Sequence, residues 1–129
     1  MSEERSVTRV LVVDDDEASR RLVEVALRGL DVEIHTEDDP EAVADRVREL
    51  GPAVLVLDVM MPNLDGPMVV AQLREADVEL PKIVLWSALD AGRLQELGGE
   101  AGVDAVVLKI AGPAALVQEV GRLLELWQS

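Results

Sequence analysis

The sequence predicts an α/β fold, a parallel sheet buried on both faces and covered by helices. Three observations predict it. Val10-Leu11-Val12-Val13 and Ala53-Val54-Leu55-Val56-Leu57 are continuous apolar runs. A strand with one wet face alternates, whereas an unbroken run is buried on both sides, as in parallel sheets. Stretches with strand character then alternate with stretches of helical spacing five times, through short links. That order implies right-handed crossovers and helices on both faces. Finally, the runs end in polar residues, Asp14-Asp15-Asp16 and Asp58, where the carboxyl ends of parallel strands gather ligands.

The elements follow in order. Residues 1–7 are polar and read as a frayed tail. The first strand is Arg9 to Val13. A helix from about Glu17 to Arg28 follows, closed by Gly29, with Ala18, Leu22, Val25 or Ala26, and Gly29 as its inward face. Val32 to His35 is a short second strand. Asp39 caps the next helix, Pro40 takes its first position, and Val43, Val47 and Leu50 are its buried stripe before Gly51-Pro52 stops it. The third strand ends at Asp58 and breaks into Met60-Met61-Pro62-Asn63-Leu64-Asp65-Gly66. The third helix starts near Pro67, buries Val69, Val70 and Leu73, and fades by Asp77. Lys82 to Ser87 is the fourth strand, and Arg93 to Glu100 the fourth helix. Gly98-Gly99 inside that helix costs about 1 kcal/mol per glycine relative to Ala, so it is expected to be the least stable. Ala105 to Leu108 is the fifth strand. Gly112-Pro113 opens a last helix with a stripe of Leu116, Val120, Leu123 and Trp127.

Composition narrows the function classes. A chain of 129 residues allows one domain, with enough length to bury a core without staples, and 49% apolar content places it among globular chains. The net charge of −14 argues against nucleic acid as a partner. With Phe and Tyr absent and two Trp the only aromatics, no surface for stacking bases is expected. No cysteine means no disulfide and no thiolate metal site. No apolar run reaches the length of a membrane span, and residues 1–5 lack a signal-peptide core, so a cytoplasmic location is expected.

The strand ends carry chemistry. Asp14, Asp15, Asp58, Ser87 and Lys109 all fall at one edge of the sheet. Carboxylates gathered that closely cannot all ionise without a cation, and a hard divalent ion with oxygen ligands is the simplest partner. A carboxylate can take a phosphoryl group as an acyl phosphate, a transfer that needs positioning and charge neutralisation. Lysine is rare here, Lys82 being the only other, and a compact ammonium suits a phosphoryl oxygen. Each residue alone has a plainer reading. Asp14-Asp15-Asp16 is a solvated turn before a helix, Ser87 a cap and Lys109 a surface lysine. Their joint occurrence is what weighs against it. Asp16 reads as a helix-start residue, Asp65-Gly66 as a turn, His35 as surface, and Met60-Met61 as pocket lining.

These residues resemble the receiver domain of two-component response regulators. The motif Asp58-x-x-Met61-Pro62-x-x-Asp65-Gly66, with Val-Val-Asp14-Asp15, Ser87-Ala88 and Lys109, follows the family order and spacing over the whole chain. The resemblance implies a flavodoxin-like (βα)5 fold of strand order 2-1-3-4-5, an order taken from the family. It implies Asp58 as phosphoacceptor, charged by a histidine kinase or phosphotransfer protein. It implies Mg²⁺ held by Asp15, Asp58 and the backbone carbonyl of Met60, with Asp14 acting through water. Ser87 would bond the phosphoryl oxygen, and Lys109 would pair with Asp58 and then with the phosphoryl group.

The chain also departs from the family. Ile110 stands where a proline, often in a cis peptide, usually follows the lysine, and cis is rare without proline. Val106 replaces the usual aromatic on the fifth strand, which removes an aromatic switch. Met60 and Leu89, at positions said to tune loss of phosphate, are apolar. The expected protein is a stand-alone single-domain switch spanning 1–129, monomeric or weakly dimeric through Trp127, acting on a downstream protein. Two alternatives keep the fold: a binding module that acts without phosphorylation, and an Mg²⁺-dependent phosphohydrolase using Asp58. The second lacks a group to activate water and a lid.

Overall fold

A computed structural model describes residues 7–61 and 64–128, with side chains through residue 126. The tail and the Pro62-Asn63 turn, and the Trp127 side chain with its core or dimer reading, lie outside the described residues. The order is β1 Arg9–Val13, α1 Glu17–Leu27, β2 Glu33–Glu37, α2 Val43–Leu50, β3 Val54–Asp58, α3 Gly66–Glu75, β4 Lys82–Ser87, α4 Ala91–Ala101, β5 Ala105–Leu108 and α5 Pro113–Gln128. Single 3₁₀ turns, Pro40–Ala42 and Lys109–Ala111, precede α2 and α5. All five strands are parallel, in the order β2-β1-β3-β4-β5.

The unbroken apolar runs are explained by two cores. Along β1, Leu11 and Val13 face one cluster while Val10 and Val12 face the other, and β3 and β4 repeat the alternation. α2, α3 and α4 cover the first cluster through Val43, Val47, Val70, Leu73 and Leu94; α1 and α5 cover the second through Val23, Leu27, Leu116, Val120 and Leu123. Every residue of β3 is buried, Asp58 included. Parallel pairing sets Val13 beside Leu57, Asp58 beside Trp86, and Ser87 beside Leu108, so these strands end at nearly one level.

Helix starts follow the carboxylates. Asp16, Asp65 and Asp90 accept backbone N–H groups of Ser19, Met68 and Arg93 at 2.8, 3.0 and 3.0 Å. The Asp90 cap starts α4 at Ala91, two residues before the expected Arg93. Gly51 closes α2 in the left-handed region at φ 56°.

Four expectations need correction. The inward face of α1 is Val23 and Leu27; Ala18 and Gly29 are exposed, and Leu22 and Val25 are 50% and 52% exposed. The helix carries apolar residues on two faces, and packing against α5 selects the other one. β2 begins at Glu33 and runs to Glu37, because an edge strand is paired by register with Arg9–Val13 and needs no apolar run. Leu50 is half-buried, at the last turn of α2. His35 is also half-buried: its Nε2 lies 2.7 Å from Glu33 Oε1. That ring first, and the Arg9 guanidinium at 2.8 Å second, hold the Glu33 carboxyl below its ordinary value.

Candidate functional site

Asp14 directly follows β1 and is buried, and all its polar groups are engaged. Its N–H donates to Glu37 O at 3.1 Å, and its carbonyl accepts from Arg20 Nη1 at 2.9 Å. Its Oδ1 accepts from Asp16 N at 2.9 Å, and its Oδ2 accepts from Lys109 Nζ at 3.1 Å. Asp15, one residue on, is exposed. Carboxylate oxygens of Asp14, Asp15 and Asp58 all lie within 4.8 Å of one another.

Asp58 is the last residue of β3 and 5% exposed. Its Oδ1 accepts from Met60 N at 3.3 Å and lies 3.8 Å from Lys109 Nζ. Burial, and next the charge of Asp14, push the Asp58 carboxyl up to about 6, against the pull of Lys109. One ammonium, paired with Asp14 and near Asp58, thus serves a cluster of three carboxylates that offers oxygen donors only. This donor set fits a hard divalent cation.

Ser87 ends β4 fully buried, and its Oγ accepts from Leu89 N at 3.2 Å. That bond uses an oxygen lone pair and leaves the O–H to donate. Lys109 emerges from β5 into a 3₁₀ turn. No peptide bond among the described residues is cis, so the link to Ile110 is trans, and the Ile110 side chain is 90% exposed. Met60 is an exposed residue of the loop beside Asp58. The fold therefore brings all six sequence-derived candidates to one edge. Two further participants carried no signal in the sequence: Arg20, an arginine in a helix like any other, and the Glu37 carbonyl, whose place depends on the β1–β2 register.

Val106 packs against α4 at Gly98. A Cβ on Gly98 would fall 2.6 Å from Val106 Cγ1, whereas Gly99 faces open space. The glycine pair thus divides into one position required by a close approach and one that is not.

The comparisons agree with this geometry. The family model for the response regulator receiver domain matches residues 10–121. The transcriptional regulatory protein TrcR of Mycobacterium tuberculosis is 40% identical over 120 residues, which cover 92% of this chain and 44% of TrcR. Response regulator MprA of Mycobacterium avium is 41% identical over 117 residues, 89% of this chain and 49% of its own. This chain thus spans about half the length of the curated relatives it matches. A response regulator signal receiver domain from Bermanella marisrubri superposes with a TM-score of 0.81 at 31% identity, covering 92% of this chain and 99% of its own. Sequence order, strand topology and relatives converge: the chain belongs to the response regulator receiver domain family of two-component signalling.

Proposed function

We propose that this chain is a phosphorylation-controlled switch of the cytoplasm that takes a phosphoryl group on Asp58. The observation that carries it is a buried carboxylate at a strand end with Lys109 Nζ 3.8 Å away and two more carboxylates in reach. A histidine kinase or phosphotransfer protein supplies the group. An Asp58 Oδ–P bond forms, the P–N bond of the phosphohistidine breaks, and the imidazole leaves with the electron pair. Asp15, Asp58 and the Met60 carbonyl would hold Mg²⁺, with Asp14 acting through water, and the ion would supply charge neutralisation at the phosphoryl oxygens. The protein donors on both Asp14 carboxylate oxygens support its indirect place, and the exposure of Asp15 supports a direct one. Lys109 shifts its charge toward the added group, and the Ser87 O–H donates to it, drawing on the loop that carries Leu89.

The output is a contact with another protein. The net charge of −14 disfavours direct contact with nucleic acid by these residues. TrcR is by name a transcriptional regulatory protein, so a partner bound to DNA is within the proposal. A second reading, constitutive partner binding, is favoured by Val106 seated in the Gly98 notch, which fixes α4 on β5.

Intact mass after incubation with Mg²⁺ and a small phosphodonor separates the two. One phosphoryl group on the wild type and none on Asp58→Asn is the expected result. No addition with several donors would favour the constitutive module. The adduct is expected to be long-lived, because neither the exposed Met60 nor the half-buried Leu89 can orient an attacking water. Decay of the mass adduct with a half-life of seconds would contradict this.

A further inference from the structure

We infer that Arg20 is a positioning residue for the cation site, an inference that rests on the reading of the site given above. In a chain with 26 acidic residues, the Arg20 guanidinium bonds a neutral group, the Asp14 carbonyl at 2.9 Å. Among the described residues it pairs with no carboxylate. That carbonyl lies just past the end of β1, outside the strand ladder, and the Arg20 side chain satisfies it.

The consequence falls on Asp15. A residue's direction is set by the two peptide planes that flank it. The plane before Asp15 is pinned through the Asp14 oxygen by Arg20. The plane after it is pinned through the Asp16 N–H by Asp14 Oδ1 at 2.9 Å. Asp16 is held in turn as the cap of α1. The exposed Asp15 carboxylate is therefore aimed by its backbone, and Arg20 supplies half of that aim from one turn inside the helix. A planar guanidinium suits the task, since it reaches the carbonyl while its charge stays outside the three-carboxylate cluster.

The sign of one measurement separates this role from that of a bystander. A nearby positive charge repels a divalent cation, so a bystander arginine would weaken binding and its removal would tighten it. A positioning arginine does the reverse. Mg²⁺ binding by the full chain is measured by calorimetry for wild type, Arg20→Ala, Arg20→Lys and Asp15→Asn, with thermal unfolding to show that each is folded. Arg20→Ala is expected to bind Mg²⁺ about tenfold more weakly, the low end of what the loss of a ligand's supporting partner does. Arg20→Lys, which keeps a donor, is expected to lie between the two. At saturating Mg²⁺ the phosphorylation rate of Arg20→Ala is expected to return to that of wild type. Arg20→Ala binding as tightly as wild type, or more tightly, would overturn the role of Arg20 and leave the site reading intact, as would a rate deficit that persists at saturation. Wild type indistinguishable from Asp15→Asn in Mg²⁺ uptake would overturn the site reading itself.

Discussion

Asp58→Asn is expected to stabilise the Mg²⁺-free protein above pH 6, by up to ~3 kcal/mol. Burial and the charge of Asp14 raise the folded-state carboxyl from 3.8 to about 6. Between those values the folded chain keeps a proton that the unfolded chain has released. Stability therefore falls as pH rises through that window and stays lower above it. Asn carries no charge to bury, so its advantage is near zero below roughly pH 4 and complete above pH 6. The shift of about two units, which already contains the pull of Lys109 at 3.8 Å, sets the ceiling at ~3 kcal/mol. Urea unfolding in a chelator at the two ends of the window checks both size and sign. Adding Mg²⁺ is expected to narrow the gap, because the cation binds the folded wild type. A variant less stable than wild type at neutral pH would mean that Lys109 already neutralises the pocket. The proposed function and this instability have one origin: a carboxylate buried among its own kind.

What the sequence disclosed and what it hid follow from how much one residue's environment constrains its type. β3 is buried along its whole length, so its first four positions, Val54 to Leu57, are apolar and the run is unmistakable. Asp58 stands out because a carboxylate directly after such a run has no packing reason to be there. Edge strand β2 has one neighbour and a half-wet surface, so Glu, His and Thr are tolerated and its bounds are set by register. Helix α1 misled for a different reason. Leu22 and Val25 share one side while Val23 and Leu27 share another, and the Asp16 cap fixes where the helix starts but not how it rolls. Only the partner helix decides that. Arg20 was illegible because its role depends on one carbonyl left over at a strand end, and no residue pattern announces a leftover carbonyl.

The glycine pair in α4 makes the same point in a form that can be measured. By helix propensity alone, Gly98→Ala and Gly99→Ala should each stabilise the protein by about 1 kcal/mol. The structure separates them. Gly99 is exposed with nothing near its missing Cβ, so Gly99→Ala is expected to gain about 0.5–1 kcal/mol. At Gly98 a methyl would sit 2.6 Å from Val106 Cγ1, closer than packed carbons stand. Val106 is β-branched and stiff about χ1, so relief requires α4 to lift from β5. Overpacking of that kind costs about 1–3 kcal/mol, which offsets or exceeds the propensity gain, and Gly98→Ala is expected to lose up to about 2 kcal/mol net. Thermal and denaturant unfolding of a double-mutant cycle with Val106→Ala isolates the contact. In the Val106→Ala background Gly98→Ala is expected to change sign and become stabilising, since the obstructing methyl is gone. If Gly98→Ala stabilises with Val106 present, helix and strand separate at no cost. The α4–β5 face is then free to move with the Ser87 loop, and the reading in which it is fixed for constitutive binding loses its support.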